Sequence, residues 1–170
     1  MKTRRIALAV ALAMASGLAL AKGAFNQTDK RFVTEAANSG VYETQVAQVA
    51  EKRAQSPEVK AYAGMLLREH EKSNDALKKL AASKSMTLPR ELPHELRGRV
   101  QGFEREDSAS FDREFLQKLG LDDHDQSIEL YERAADRATS TELKSFAKAQ
   151  LPVLRKHRER AQELMDKMPK

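Results

Sequence analysis

Four long runs of this chain place an apolar residue every three or four positions, and no stretch alternates with a period of two. That spacing is the signature of amphipathic helices with one buried face. The stripes read Phe32, Ala36, Gly40, Glu43, Ala47, Ala50 in the first run and Val59, Ala63, Leu66, His70, Ser73, Leu77, Leu80 in the second. The third reads Gly120, His124, Ile128, Tyr131, Ala135, with Phe111, Phe115 and Leu119 nearer its start. The fourth reads Leu143, Phe146, Gln150, Val153, His157, Ala161, Leu164, Met168. Each stripe carries one ionisable residue near its middle: Glu43, His70, His124 or His157.

The helix boundaries follow from local signals. The first helix is predicted from about 28 to 54, with Thr28 or Asp29 as N-cap. Ser56-Pro57-Glu58 then reads as a break, with Ser as cap and Pro at the first helical position, opening a helix to about 83. Between about 86 and 106, Pro89, Pro93, Gly98 and Gly102 interrupt any continuous helix, although residues 95–103 have the pattern of a short one. The third helix is predicted over about 108–138, with Gly120 as a candidate kink, and the fourth over about 141–168. Pro152, inside the fourth, is expected to bend it one turn before His157. The connection of about 20 residues is long enough to run the length of a bundle. The chain is therefore read as all-α: a four-helix bundle of ferritin-like arrangement, two helical hairpins joined by a long crossover. Up-down-up-down connection is the alternative order.

The remaining organisation is simple. Lys2, Arg4 and Arg5, an apolar run from Ile6 to Leu20, and Ala19-Leu20-Ala21 read as a signal peptide over residues 1–21. The apolar run falls short of the roughly 20 residues that a membrane span needs. The Arg4-Arg5 pair is compatible with twin-arginine export, but general secretion explains the segment without it. Cleavage would remove 21 of the 170 residues and leave 149, a short segment 22–27 followed by one bundle domain over 28–168. The expected location is the periplasm, with no membrane-spanning segment in the mature chain and an unidentified protein or envelope component as partner.

The leader holds three of the 30 basic residues and none of the 25 acidic ones, so the rest of the chain carries 27 against 25. Nucleic-acid binding, which needs a basic patch, is not expected. With no Cys, disulfides, thiolate metal sites and thiol nucleophiles are excluded. No phosphate loop, nucleophile elbow or acid pair is visible, so the sequence assigns no catalytic residue and leaves open whether the chain is an enzyme.

The candidate chemistry lies in Glu43, His70, His124 and His157. Burying an ionisable side chain is costly unless it is paired or bound to a metal. Glu43 lies 12 residues before the first interhelical turn and His70 15 after it. His124 lies 15 before the second turn and His157 18 after. At about 1.5 Å per residue, the members of each pair differ in height by only about 4–5 Å. Three imidazoles and a carboxylate at one level could hold one transition-metal ion, Zn, Cu, Fe or Mn. The alternative is a metal-free stress or interaction module whose buried histidines are structural or pH-responsive. His94, in the Pro-rich crossover, is expected in solvent. Asp122, Asp123 and Asp125 read as an exposed acidic face or as supports for the His124 ring. Glu69 and Glu71 fall off the stripe.

Several of these segments are shared with one family. Phe32-x-x-x-Ala36-Ala37, Val41-Tyr42-Glu43-Thr44-Gln45, Glu69-His70, Phe111-Asp112, His124 and Leu151-Pro152-Val153-Leu154-x-x-His157 resemble the bacterial family called domain of unknown function 4142. The resemblance covers about residues 28–166 and implies an exported, ferritin-like protein whose biochemical role is not established. In that family the histidine of the second helix usually follows Asp, where this chain has Glu69. The Glu-x-x-His motif of di-iron bundles is absent: Leu67, Leu121 and Leu154 stand three residues before the histidines.

Overall fold

The computed structural model describes residues 23–169. The predicted signal peptide, residues 1–21, lies outside the described residues. Two 27-residue helices come first, α1 (Gln27–Arg53) and α2 (Pro57–Ser83). The crossover contains α3 (His94–Arg105). The third long helix is built in three pieces without a break: α4 (Phe111–Phe115), a π-helical segment (Leu116–Asp123) and α5 (His124–Arg137). The last helix, α6 (Thr141–Asp166), contains Pro152. No helix among the described residues is long and apolar enough to cross a membrane.

The cap chemistry explains these boundaries. Asn26, two or three residues before the predicted cap, accepts the Asp29 amide at 2.8 Å. The Ser56 hydroxyl accepts the amides of Glu58 and Val59, and Ser140 accepts that of Leu143. Asp29 is freed for a longer-range task. Its buried carboxylate accepts the Thr139 and Ser140 amides at 3.0 and 3.1 Å and the Thr139 hydroxyl at 2.6 Å. Asp112 does the same at the other end of the bundle, taking the amides of Gln55 and Ser56 at 2.9 and 2.7 Å. Each hairpin turn is therefore held by an aspartate from the opening turn of the other hairpin.

These clamps also fix the connection order. The start of α1 touches the end of α5, and the start of α4 touches the end of α1, so those helices are antiparallel. Neighbours around the bundle are α1 with α2, α2 with α6, α6 with α5, and α5 with α1. The crossover travels the length of the bundle, which is the ferritin-like order and not up-down-up-down. Leu92, Val100 and Phe103 bury the crossover against the bundle, and the Arg53 guanidinium holds the carbonyls of Phe103, Glu104 and Glu106.

The core is divided. One apolar cluster centres on Val46, Tyr62, Leu66, Phe111, Phe115 and Leu119, and the other on Phe32, Val33, Leu77, Tyr131, Leu143 and Leu154. Between them lies one polar layer, at the height of Glu43, His70, His124 and His157. The π-helical segment enters this layer closely packed: a Cβ on Gly120 would stand 2.6 Å from the Cβ of Ala161. Only a glycine lets α6 approach there.

Candidate metal centre

Three imidazoles meet in the middle of the bundle. The ring centroids of His70, His124 and His157 form a nearly equilateral triangle with sides of 5.5, 5.3 and 5.2 Å. Each offers a ring nitrogen, and the three nitrogens lie within 4.8 Å of one another. All three residues are buried.

The outward-facing nitrogens fix the tautomers. His124 Nδ1 lies 2.8 Å from the carbonyl oxygen of Leu119, which can only accept, so this nitrogen carries the proton. His157 Nε2 donates to Glu69 Oε2 at 2.7 Å, and His70 Nδ1 donates to Glu43 Oε2 at 3.0 Å. The inner nitrogens, His70 Nε2, His124 Nε2 and His157 Nδ1, are therefore left as lone pairs. His124 Nε2 and His157 Nδ1 face each other at 3.3 Å with no proton to share in the neutral rings. His70 Nε2 is, among the described residues, the buried side-chain nitrogen or oxygen without a hydrogen-bond partner. Three converging lone pairs with no donor could hold a cation.

A proton is a poor tenant. Burial, and then the neighbouring His124, push the His70 imidazole down to about 3. Burial and the other two rings lower His157 as well. Neutral imidazoles are the form that ligates a metal. In the metal-free protein this burial makes stability depend on pH. The unfolded chain takes up protons on these histidines below their ordinary value of 6.5, whereas the folded chain resists them. The unfolded state then binds more protons, so this contribution is intact above about pH 6.5 and is lost as pH falls toward about 3. Chemical denaturation of the metal-free protein at pH 7.5 and pH 5 should give the lower stability at pH 5. Stability at pH 5 equal to or above that at pH 7.5 contradicts this placement.

Glu43 belongs to the layer but stands behind it. Oε2 takes the His70 proton, and Oε1 accepts the hydroxyls of Ser39 at 2.9 Å and Ser127 at 3.0 Å. The three histidines come together, and Glu43 sits one residue further out, where it orients His70. Glu69, which helical periodicity places off the stripe, does the matching task for His157. It reaches sideways from α2 to α6. The sequence analysis missed Glu69, Ser39, Ser127 and the Leu119 carbonyl as parts of the centre. For Ser39 and Ser127 a signal existed: each lies a turn from a centre residue, four before Glu43 and three after His124. For the Leu119 carbonyl none did, because only the π-helical turn brings it to the ring.

The acidic group around His124 divides. Asp123 is buried and takes two contacts of 2.7 Å from Arg99 and one of 3.1 Å from the Tyr42 hydroxyl. Asp122 and Asp125 are exposed, bonded to Gln117 and Arg158. None of the three supports the His124 ring. His94 is exposed at the start of α3.

The chamber at the centre holds only about 10 Å³ of free volume. A separate cavity of about 400 Å³ lies beneath the crossover, lined by Tyr42, Pro93, Leu96, Arg99, Asp123 and Arg133 among others. Ser39 and Ser127 border both spaces.

Residues 14–164 match the family described as Domain of unknown function (DUF4142). The chain belongs to this family. No curated protein matches it. A crystal structure of a DUF305 fragment from Deinococcus radiodurans is similar in fold, with a TM-score of 0.75 at 13% identity, covering 85% of this chain and 99% of that one. The DUF4142 bundle thus shares its helical architecture with that fragment.

Proposed function

We propose that this DUF4142 protein is an exported metal-binding protein that holds one transition-metal ion on His70 Nε2, His124 Nε2 and His157 Nδ1. The carrying observation is the convergence of three lone pairs whose opposite nitrogens are each tied to an acceptor. That arrangement, ring proton outward on a carboxylate or carbonyl, is how metal-ligating histidines are generally oriented. The 3.3 Å between His124 Nε2 and His157 Nδ1 matches the edge of a tetrahedral site, about 3.3–3.4 Å for metal–nitrogen bonds of about 2.0–2.1 Å. Charge supports it too. The carboxylates of Glu43 and Glu69, engaged on the outer nitrogens, would together offset a dication in the low-dielectric interior.

With carboxylates occupied in this way, the inner donor set is all nitrogen. Imidazole sets suit Zn and Cu, whereas Mn prefers oxygen donors, so zinc or copper is the expected ion ahead of Fe and Mn. Bound there, the ion would supply Lewis acidity or, for copper, electron exchange. A volume of about 10 Å³ admits roughly one water and no organic substrate. Sequestration or carriage of the ion is therefore the reading, with the leader over residues 1–21 supporting periplasmic location.

The direct test is metal content per chain, by plasma mass spectrometry, on untagged protein offered Zn or Cu and then desalted. About one ion per chain is expected, and none in the H70A/H124A/H157A protein. Equal, substoichiometric metal in both proteins would overturn the reading and leave the histidines as structural groups.

A further inference from the structure

The ion needs a way in, and the fold leaves two lateral faces for it. Along the bundle axis the polar layer is sealed on both sides by apolar clusters. Sideways, one face lies between α1 and α5 beneath the crossover, and the other between α2 and α6.

The α1–α5 face has the larger cavity but a poor approach for a cation. Arg99 and Arg133 line it together with Glu35, Glu95 and Asp123, and Asp123 is already paired with Arg99. Its floor toward the centre is Ser39 and Ser127, whose hydroxyls are both spent on the same oxygen of Glu43. Glu43 in turn presents His70 by its protonated nitrogen, with its side chain only 2% exposed. A cation arriving there meets a rim of mixed charge, then two hydroxyls and a carboxylate already engaged with one another and with His70.

The α2–α6 face differs in one respect that matters. Among the described residues, Glu69 is the only one bonded through its side chain to the three imidazoles that also reaches solvent: its side chain is 39% exposed, against 1% for the His157 ring it holds. Ser73, Gln150 and Val153, all half-buried, border the chamber beside it. The Glu69 carboxylate therefore stands between bulk water and the centre, negative, accessible and fastened by one hydrogen bond. Resting on the metal-binding reading above, we propose that the ion enters and leaves between α2 and α6, with Glu69 as the gate. Its carboxylate captures the hydrated cation at the surface, parts from His157 as the cation passes, and closes back on His157 Nε2 behind it.

A gate is separable from a ligand because it changes rates in both directions. The test is stopped-flow Zn(II) uptake by the stripped full chain, with a chelator chase for release, at two salt concentrations. Val153→Trp narrows the port without touching a ligand; association and dissociation should slow together, by roughly tenfold or more, leaving Kd within a factor of about two. Gln126→Trp, exposed on the rim of the opposite cavity, should leave both rates as in wild type. Glu69→Gln keeps an acceptor for His157 but removes the charge. It should cut the association rate by roughly tenfold at low salt and flatten its decline with ionic strength. Should Val153→Trp fail to fold, Glu69→Gln decides alone. Wild-type rates in Glu69→Gln, or slowing by Gln126→Trp with none by Val153→Trp, would overturn the port while leaving the metal site intact. Absence of zinc binding by wild type would instead sink the underlying reading.

Discussion

Saturating zinc should raise the Tm of the stripped protein by about 8–16 °C and should do nothing to the H70A/H124A/H157A variant. A ligand that binds only the folded state at a thousandfold excess over Kd contributes about 4 kcal/mol. For a chain of this size each kcal/mol moves Tm by about 2–4 °C. The unfolded chain cannot gather residues 70, 124 and 157, so the folded state has nearly all of the affinity. Single His→Ala variants should each lose most of the shift, because two imidazoles leave the ion half-coordinated. The Glu43→Ala variant should retain a smaller one, since losing an outer hydrogen-bond partner typically costs 10–100-fold in affinity. Differential scanning fluorimetry with zinc and with chelator checks all of these. A wild-type Tm indifferent to both would contradict the metal reading directly.

The second large effect is structural. Asp112→Ala should destabilise the chain by about 3–6 kcal/mol, because two backbone amides lose charge-assisted bonds of about 1.5–3 kcal/mol each. The amides of Gln55 and Ser56 have no intrahelical partners at the start of α2, so the turn between α1 and α2 depends on this carboxylate. Asp112→Asn, which keeps one acceptor oxygen, should lose roughly half as much. Asp29→Ala should behave like Asp112→Ala at the opposite end, where the carboxylate holds three groups of Thr139 and Ser140. Urea unfolding, read as a change in midpoint at constant slope, measures the losses. A midpoint unchanged within error in Asp112→Ala would show that water replaces the carboxylate at no cost.

The stripes and turns made the bundle legible in sequence, because burial of one face at a 3.6-residue period leaves few other architectures. They also brought the three histidines to one height, since rise per residue is nearly constant over a dozen positions. What the stripes hid was lateral reach. Glu69 lies off the buried face of its own helix, yet its side chain spans to α6, and a helix-by-helix projection has no information about the neighbour. The third long helix hid something else. Ala54-Gln55-Ser56-Pro57-Glu58-Val59 and Ala138-Thr139-Ser140-Thr141-Glu142-Leu143 correspond at a separation of 84 residues. Asp29-x-x-Phe32 and Asp112-x-x-Phe115 correspond at 83. The two hairpins thus match each other apart from one extra residue, and the π-helical segment Leu116–Asp123 is where it is absorbed. Insertions of this kind recur at functional sites. Here the insertion lies immediately before His124, and the ring uses the carbonyl of Leu119 within it.

The centre draws Glu43, Glu69 and His70 from the first hairpin and His124 and His157 from the second. Neither hairpin alone has three imidazoles, so coordination exists only while the two are docked in register. An ion on that seam is a reversible cross-link between residues 70 and 124, closing a loop that contains the entire crossover. Partial opening of the bundle, with each hairpin still helical, would then suffice to discharge it. For a bound ion, retention and tertiary assembly would become a single equilibrium, and any surface that prises α2 from α6 would act as an unloading device.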